Sequence, residues 1–412
     1  MTTKGHSARD YVHFLRLLAR NRRRQKLWGR AFEACIREGS FRVPSAAVVQ
    51  LIPTESCNLR CPMCNQWGEN GYFRSGVRPV SAMDKSALEV FLEGLSPRDS
   101  LVSLHGGEPF AYRHIGLLLS LLARGSFDTI ITTNGTLLDA WIGPLSEIRN
   151  LALLLSIDGD EKTHDAIRGQ GSFAKARDAV RKLFEARARR RFPRPLLVMN
   201  HTVCEWNVDA VGGVFEVARS LGAFAVNYNM RWFLPEEAGL AYEKHLKKEF
   251  GLTSSGAWRG WISNHPDVSY RKGTTILARE VGKRSLRLRP PFVMTTPGGL
   301  RGPDFARYFE DFSEVFGNES CFMPFYWARI HSNGDLIFCP GHPDIIAGNV
   351  FRDGFDAAFN SEVARHFRRH ILENRFPICN RCCGLYMTSP ARSQEQRVRR
   401  RLGLSKSVNA LF

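Results

Sequence analysis

Three cysteines stand close together in Cys57-Asn58-Leu59-Arg60-Cys61-Pro62-Met63-Cys64. Thiolates are soft ligands that suit iron–sulfur clusters or zinc. Three of them leave one iron of a four-iron cubane without a protein ligand, and an open metal position is where a substrate can bind. A second group lies far downstream: Cys321, Cys339 and Cys379-Asn380-Arg381-Cys382-Cys383. Four thiolates from a hairpin and a Cys-x-x-Cys turn can close a tetrahedral zinc site or fully ligate a cubane. Cys382 is taken as the ligand ahead of Cys383, because chelation by Cys-x-x-Cys is the commoner geometry. Cys204 stands alone, a candidate hydrogen-atom donor.

The elements that must carry these residues follow from pattern. The apolar run Ala46 to Ile52 reads as a strand that ends in the first cysteine loop. Further strands are expected at Leu101–Leu104, Thr129–Ile131, Leu151–Ser156, Leu196–Val203 and Phe224–Tyr228. Helices are expected at 81–94, 112–124, 173–188 and 209–220. Strand and helix alternate, which calls for a parallel sheet with right-handed crossovers. The expected fold is α/β: an open, partial (β/α)6 barrel. Each polar motif then sits at the C-terminal end of a strand, where barrel enzymes keep their chemistry. These ends are Gly106-Gly107-Glu108-Pro109, Thr133-Asn134-Gly135, and Ser156 with Asp158. Asn200, Thr202, Asn227 and Asn229 are expected to line the same mouth.

Residues 9–35 read as a basic amphipathic helix whose apolar stripe caps the barrel. The alternatives for it are a membrane surface or an acidic partner. Residues 231–320 carry no clear barrel pattern and are expected to form an insertion that shapes the substrate pocket. A hairpin over 326–338, turning at Asn333-Gly334, brings Cys321 and Cys339 together. A helix over 356–372 then returns the chain to deliver Cys379 and Cys382. The expected division is 1–45, a basic helical extension; 46–230, the barrel; 231–320, the insertion; 321–390, a small cysteine domain of hairpin plus helix; and 391–412, a basic tail.

The spacing of Cys57, Cys61 and Cys64 resembles the CxxxCxxC motif of the radical S-adenosylmethionine (SAM) superfamily. Gly106-Gly107-Glu108-Pro109 resembles its GGEP motif, Thr133-Asn134-Gly135 its third-strand TNG pattern, and Ser156 to Gly159 its SxDG pattern. Met63 departs from the aromatic residue usual before the third cysteine. The resemblance implies a [4Fe-4S] cluster on Cys57, Cys61 and Cys64 whose fourth iron chelates SAM. It further implies reductive cleavage of SAM to a 5′-deoxyadenosyl radical that abstracts hydrogen from a substrate. By the same resemblance, the Glu108 region receives the methionine ammonium, Thr133 and Asn134 face the SAM moiety, Ser156 bonds the ribose or carboxylate, and Arg168 pairs with the carboxylate. The stretch from Cys321 through Gly334 to Cys339 resembles the opening of SPASM domains. A single Cys-x-x-Cys unit after it is similar to the shortened twitch form, which implies one auxiliary [4Fe-4S] cluster on Cys321, Cys339, Cys379 and Cys382.

Composition sets the bounds. The chain of 412 residues is long enough for two domains with a sizeable core. No apolar run is long enough to span a bilayer, and the N-terminus lacks a signal-peptide apolar region. A cytoplasmic location is expected, and in that compartment ten cysteines argue for metal ligation. The net charge of +18 attracts phosphates, nucleic acid or anionic lipid, though a solvated basic surface is the preferred reading. The expected function is a radical SAM oxidoreductase. Its substrate would be a small natural-product intermediate, such as a sugar or aminocyclitol, or a peptide. An electron donor such as flavodoxin or ferredoxin would serve it. The segment before the first strand is short for the leader-recognition domain of many SPASM-type peptide modifiers, which tilts the expectation toward a small molecule or a leader-independent peptide. The alternatives are radical modification of RNA and a non-catalytic zinc scaffold.

Overall fold

The computed structural model describes residues 6–190, 192–193, 195–262, 270–284, 287–339 and 343–386. The six expected strands are present as β1 (Val48–Leu51), β2 (Leu101–Leu104), β3 (Thr129–Thr133), β4 (Leu151–Ser156), β5 (Leu196–Val203) and β6 (Ala225–Met230). They pair in chain order and all in parallel. Side chains alternate between the two faces of a strand. Val49, Leu51, Val102, Leu104, Leu153, Leu155, Leu197, Met199, Val226 and Tyr228 pack into one core with the surrounding helices. Gln50, Ser103, Ser156, Asn200, Thr202, Asn227 and Asn229 alternate with them and so face inward. The inner face is therefore polar toward the strand ends. Asn227 donates to Asn200 at 2.8 Å and accepts from Thr296 at 3.1 Å.

The sheet runs past these six. β7 (Phe292–Thr296) adds to β6 in parallel, inside the stretch where no strand was expected. The crossover to it carries the helices Glu236–Phe250 and Arg271–Arg284, so the regular spacing that marks the earlier units is lost. On the other side, β8 (Trp327–Ile330) pairs in parallel with β1. β9 (Asp335–Ile337) returns antiparallel to β8, and β10 (Gly348–Asn349) pairs with β9. The order β10-β9-β8-β1-β2-β3-β4-β5-β6-β7 leaves β10 and β7 as edges, and the sheet stays open. The hairpin turns at Gly334, whose φ of +88° suits glycine. The C-terminal hairpin thus continues the barrel sheet. The helix expected over 356–372 is split into Phe355–Phe359 and Glu362–Glu373. Between them Ser361 caps the second piece, accepting from the Ala364 amide at 3.0 Å.

The helix Ala8–Arg37 opens on a capping box between Ser7 and Asp10. Tyr11, Phe14 and Leu17 pack against Ile130, Ala152, Leu196, Phe224 and Phe292, at or beside the starts of β3 to β7. The Phe14 and Phe224 rings lie 4.9 Å apart. The helix therefore plugs the end of the barrel opposite the cysteine loop. Arg24 donates to Asp128 at 2.5 Å, both side chains almost fully buried, and Arg20 reaches the same carboxylate at 3.0 Å. Farther along, Phe32 meets Phe325 edge-on at 4.9 Å, which ties this helix to the C-terminal hairpin. Among the described residues, no helix is long and apolar enough to cross a membrane. The basic tail 391–412 lies outside the described residues.

Candidate active site

Cys57, Cys61 and Cys64 follow β1 at the C-terminal rim. Cys61 is buried and the other two are half-buried. The loop folds back on itself: the Cys64 amide donates to the Cys61 carbonyl at 3.0 Å, and Gly68 donates to the Cys64 carbonyl at 2.8 Å. A Cβ at Gly68 would lie 2.5 Å from that carbonyl, so the close approach needs glycine. The Leu59 amide donates to Cys57 Sγ and the Trp67 amide to Cys64 Sγ, each at 3.4 Å. Burial pushes the Cys57 thiol up to about 12 and raises Cys61 as well. Such thiols ionise when a metal takes the proton's place.

The loop after β2 lies directly on the strand end that carries these cysteines. Gly107 donates to the Thr54 carbonyl at 3.2 Å and Glu108 to the Ser56 carbonyl at 2.8 Å. A Cβ on Gly107 would fall 2.1 Å from Ser56 O, and one on Gly106 2.6 Å from Thr54 O. Glu108 is buried and its carboxylate accepts from Thr133 Oγ1 at 2.7 Å, the Asn134 amide at 2.8 Å and the Phe110 amide at 3.2 Å. Burial pushes it up to about 7 against these three bonds. Pro109 opens the short turn Pro109–Ala111 that Glu108 caps. Asn134 donates to Asn58 Oδ1 at 3.0 Å, and both asparagines reach the Thr136 hydroxyl, at 2.6 and 2.8 Å. Glu108, Thr133 and Asn134 are thus turned onto protein partners, and form a bracket that fixes the cysteine loop. Glu55 adds a second tie. It accepts from Ser81 Oγ at 2.7 Å and Ser332 Oγ at 2.6 Å and sits 3.1 Å from His331 Nδ1. Its carboxyl is held low by these hydrogen bonds, although burial acts in the opposite sense.

The loop after β4 supplies a cation. Asp158 is fully buried and accepts from Arg168 Nε at 2.6 Å and the Thr202 amide at 3.1 Å. Arg168 Nη1 lies 3.7 Å from Cys61 Sγ. The guanidinium is therefore spread between one carboxylate and one sulfur. Ser156 is half-buried on the inner face, in register with Asn200. Cys204 is fully buried in a turn closed by Asn207, whose side chain accepts from the Cys204 amide at 2.9 Å. A hydrogen donor must touch its substrate, and Cys204 has no exposed surface to offer one.

The C-terminal thiols also converge. Cys321, Cys339, Cys379 and Cys382 are all buried, and Cys383 is half-buried. The Cys382 thiol acts electrostatically on Cys321, Cys339, Cys379 and Cys383 alike. The turn is held by Arg381, which donates to the carbonyls of Tyr308 and Glu314 at 2.8 Å each and to that of Asp311. These partners come from the segment expected to be an insertion. Among the described residues, no three His, Cys, Asp or Glu side chains are drawn tightly enough around one point for a single ion. A four-iron cluster takes each thiolate on a separate iron, and both donor sets, all-thiol, fit that demand.

Between the two cysteine groups runs a wall of which the sequence pointed only to Trp261, among the aromatics of the segment expected to shape the pocket. Trp232 and Trp261 pack at a tilt of 30° with centroids 4.9 Å apart. Together with Phe233, Ile378 and Arg381 they border a crevice beside Cys382. Trp206, Arg231, Gly260 and Ile262 border another beside Pro62 and Cys64. Arg231 is bound to Glu205, both nearly inaccessible, and lies over Trp206 at 5.3 Å. The density of tryptophan between 206 and 261 was the available signal.

Comparison with known proteins supplies the rest. The radical SAM superfamily model matches residues 51–204, and the SPASM iron–sulfur cluster-binding domain matches residues 321–383. The sporulation killing factor maturation protein SkfB of Bacillus subtilis is 28% identical over 185 residues, 44% of this chain and 41% of SkfB. The AdoMet-dependent heme synthase of Methanosarcina barkeri is 29% identical over 191 residues, 45% of this chain and 50% of the synthase. The match thus spans half or less of these curated relatives. Streptococcus suis SuiB bound to its precursor peptide SuiA superposes with a TM-score of 0.57 at 15% identity, over 86% of this chain and 73% of SuiB. The enzyme anSMEcpe with bound AdoMet gives 0.53 at 16% identity, over 88% of this chain and 97% of that one. At these identities the likeness concerns the fold.

Proposed function

The chain belongs to the radical SAM superfamily and carries a SPASM iron–sulfur domain, and from that premise we propose that it is an oxidoreductase acting on a peptide substrate. Cys57, Cys61 and Cys64 would hold the SAM-binding [4Fe-4S] cluster, and Cys321, Cys339, Cys379 and Cys382 one auxiliary cluster. The chemistry the cofactors supply when bound is reductive cleavage of SAM coupled to removal of a hydrogen atom from the substrate. The chain's own part is orientation. The Glu108–Thr133–Asn134 bracket and the Glu55 ties fix the cysteine loop. Arg168 places positive charge beside Cys61, where it favours thiolate over thiol. Ser156, Asn200 and Asn229 offer polar groups on the inner face to the nucleoside and methionine. The Trp232–Trp261 wall excludes water between the two cysteine groups and gives the substrate an apolar surface.

The observation that carries this reading is the set of three thiols at the rim, with amide donors on two sulfurs and a guanidinium on the third. The peptide assignment is supported by the fold shared with SuiB, whose precursor peptide is bound, and by the relationship to the maturation protein SkfB. A small molecule is the second reading, favoured by the relationship to the heme synthase. A cytoplasmic location and an electron donor of the flavodoxin or ferredoxin kind accompany either. Protein reconstituted anaerobically is expected to be brown, with about eight irons per chain. Cys61→Ala is expected to abolish 5′-deoxyadenosine formation, whereas Cys321→Ala spares uncoupled cleavage. Colourless protein with stoichiometric zinc, or full activity in Cys61→Ala, would overturn the assignment.

A further inference from the structure

Apart from Arg329, the buried arginines find partners in two ways, although Arg24, Arg231 and Arg368 also leave guanidinium nitrogens without one among the described residues. Arg24, Arg168 and Arg231 each face a carboxylate. Arg187, Arg368 and Arg381 are wrapped by backbone carbonyls. Arg329 has neither. It stands in β8 and is 4% exposed. Nη1 donates to Gln50 Oε1 at 3.1 Å, and Nε has no partner among the described residues. After burial itself, the groups that act on it most strongly are Tyr72, Cys383, Cys339 and the cation of Arg78, with no carboxylate among them. A buried cation without an anion is costly, and proteins do not keep one without a partner.

The sheet register says where that partner lies. Arg329 pairs with Gln50 on β1 and with Ile337 on β9. Ala328, Ile330, Leu336 and Phe338 belong to the outer core. Alternation then puts Arg329, Gln50 and Ile337 on the inner face together. Cys339 is two residues beyond the position opposite Arg329, just past the end of β9, and with Cys383 it is among the groups whose charge acts on Arg329.

We propose that Arg329 is the internal counter-cation of the auxiliary cluster and raises its reduction potential. This rests on the reading that the C-terminal thiols hold such a cluster. A cluster ligated by four thiolates is anionic and gains a further negative charge on reduction. A fixed positive charge nearby stabilises the reduced form more than the oxidised one. Arg329 is a positioning and tuning residue in this scheme, acting through the cluster without touching substrate.

The test is a redox titration followed by electron paramagnetic resonance on the reconstituted full chain. Iron content and thermal melting are measured alongside. The two signals are told apart because added SAM perturbs one of them. Arg329→Met is expected to move the auxiliary potential to more negative values and leave the SAM-sensitive cluster in place. Arg329→Lys, which keeps the charge, is expected to move it less. An unchanged auxiliary potential in Arg329→Met at full iron content overturns the proposal, as does an equal shift of both clusters. Should Arg329→Met fail to hold iron, Arg329→Gln drops the charge while retaining a donor to Gln50, and is read in the same way. Wild-type protein with only about four irons per chain would refute the two-cluster reading itself, a distinct outcome visible before any variant is made.

Discussion

Asp158, Arg168 and Cys61 form a chain of charge in which each member depends on the next. Asp158 is fully buried, and its carboxyl is held low by the Arg168 guanidinium although burial acts in the opposite sense. Removing one partner of a buried pair leaves an uncompensated charge, at a cost of about 3–5 kcal/mol. Arg168→Met is expected to lower the urea midpoint accordingly and to reduce iron bound at the first site. Arg168→Lys should recover charge without the fork geometry and restore only part of each. At Gly107 the demand is steric. Gly107→Ala is expected to displace the Thr54–Ser56 strand end, because the nearest atoms are backbone and cannot swing away, and the loss is read as iron per chain. The cysteine spacing, and the resemblance of the GGEP loop and the TNG turn to radical SAM motifs, pointed to these residues from the sequence. Neither could tell that Glu108 and Asn134 would spend their side chains on Thr133 and Asn58, since hydrogen bonds across different loops leave no periodic trace in a sequence.

At the scale of elements, strands bounded by helices at regular intervals were legible because their apolar faces repeat. β7 was not, since Phe292–Thr296 is short, half-exposed and reached by a long crossover. The interface between Glu236–Phe250 and Glu362–Glu373 was also hidden. There His245 Nε2 and His370 Nε2 lie 2.8 Å apart. Burial, then the neighbouring His245, pushes His370 down to about 4. The folded protein therefore binds fewer protons here than the unfolded chain between about pH 4 and the ordinary histidine value near 6.5. Stability from this pair is complete above about pH 6.5 and is lost as pH falls toward 4. The unfolding free energy from urea titrations is expected to drop by about 2 kcal/mol between pH 7 and pH 5, and His370→Gln should flatten that slope. A wild-type profile as flat as the variant's would refute this.

Taken whole, the molecule is a sheet sealed at one end and chemically equipped at the other. The Ala8–Arg37 helix closes the sealed end through Phe14 and its aromatic neighbours. Phe14→Ala is expected to cost about 2 kcal/mol, less than a fully buried phenylalanine would. The check is a fall in melting temperature with 5′-deoxyadenosine formation per folded protein preserved. A loss of cleavage with an unchanged melt would mean the helix reaches the chemistry. The pairing of β8 with β1 has a consequence for how the protein is made. The strand that leads into the first three cysteines leaves the ribosome early, yet its second neighbour and the His331 and Ser332 ties to Glu55 are translated some 280 residues later. Until then that strand is an exposed edge and its thiol loop lacks half its support. Iron delivery during synthesis would meet an unfinished cradle, so loading of the first cluster belongs after translation has passed the hairpin.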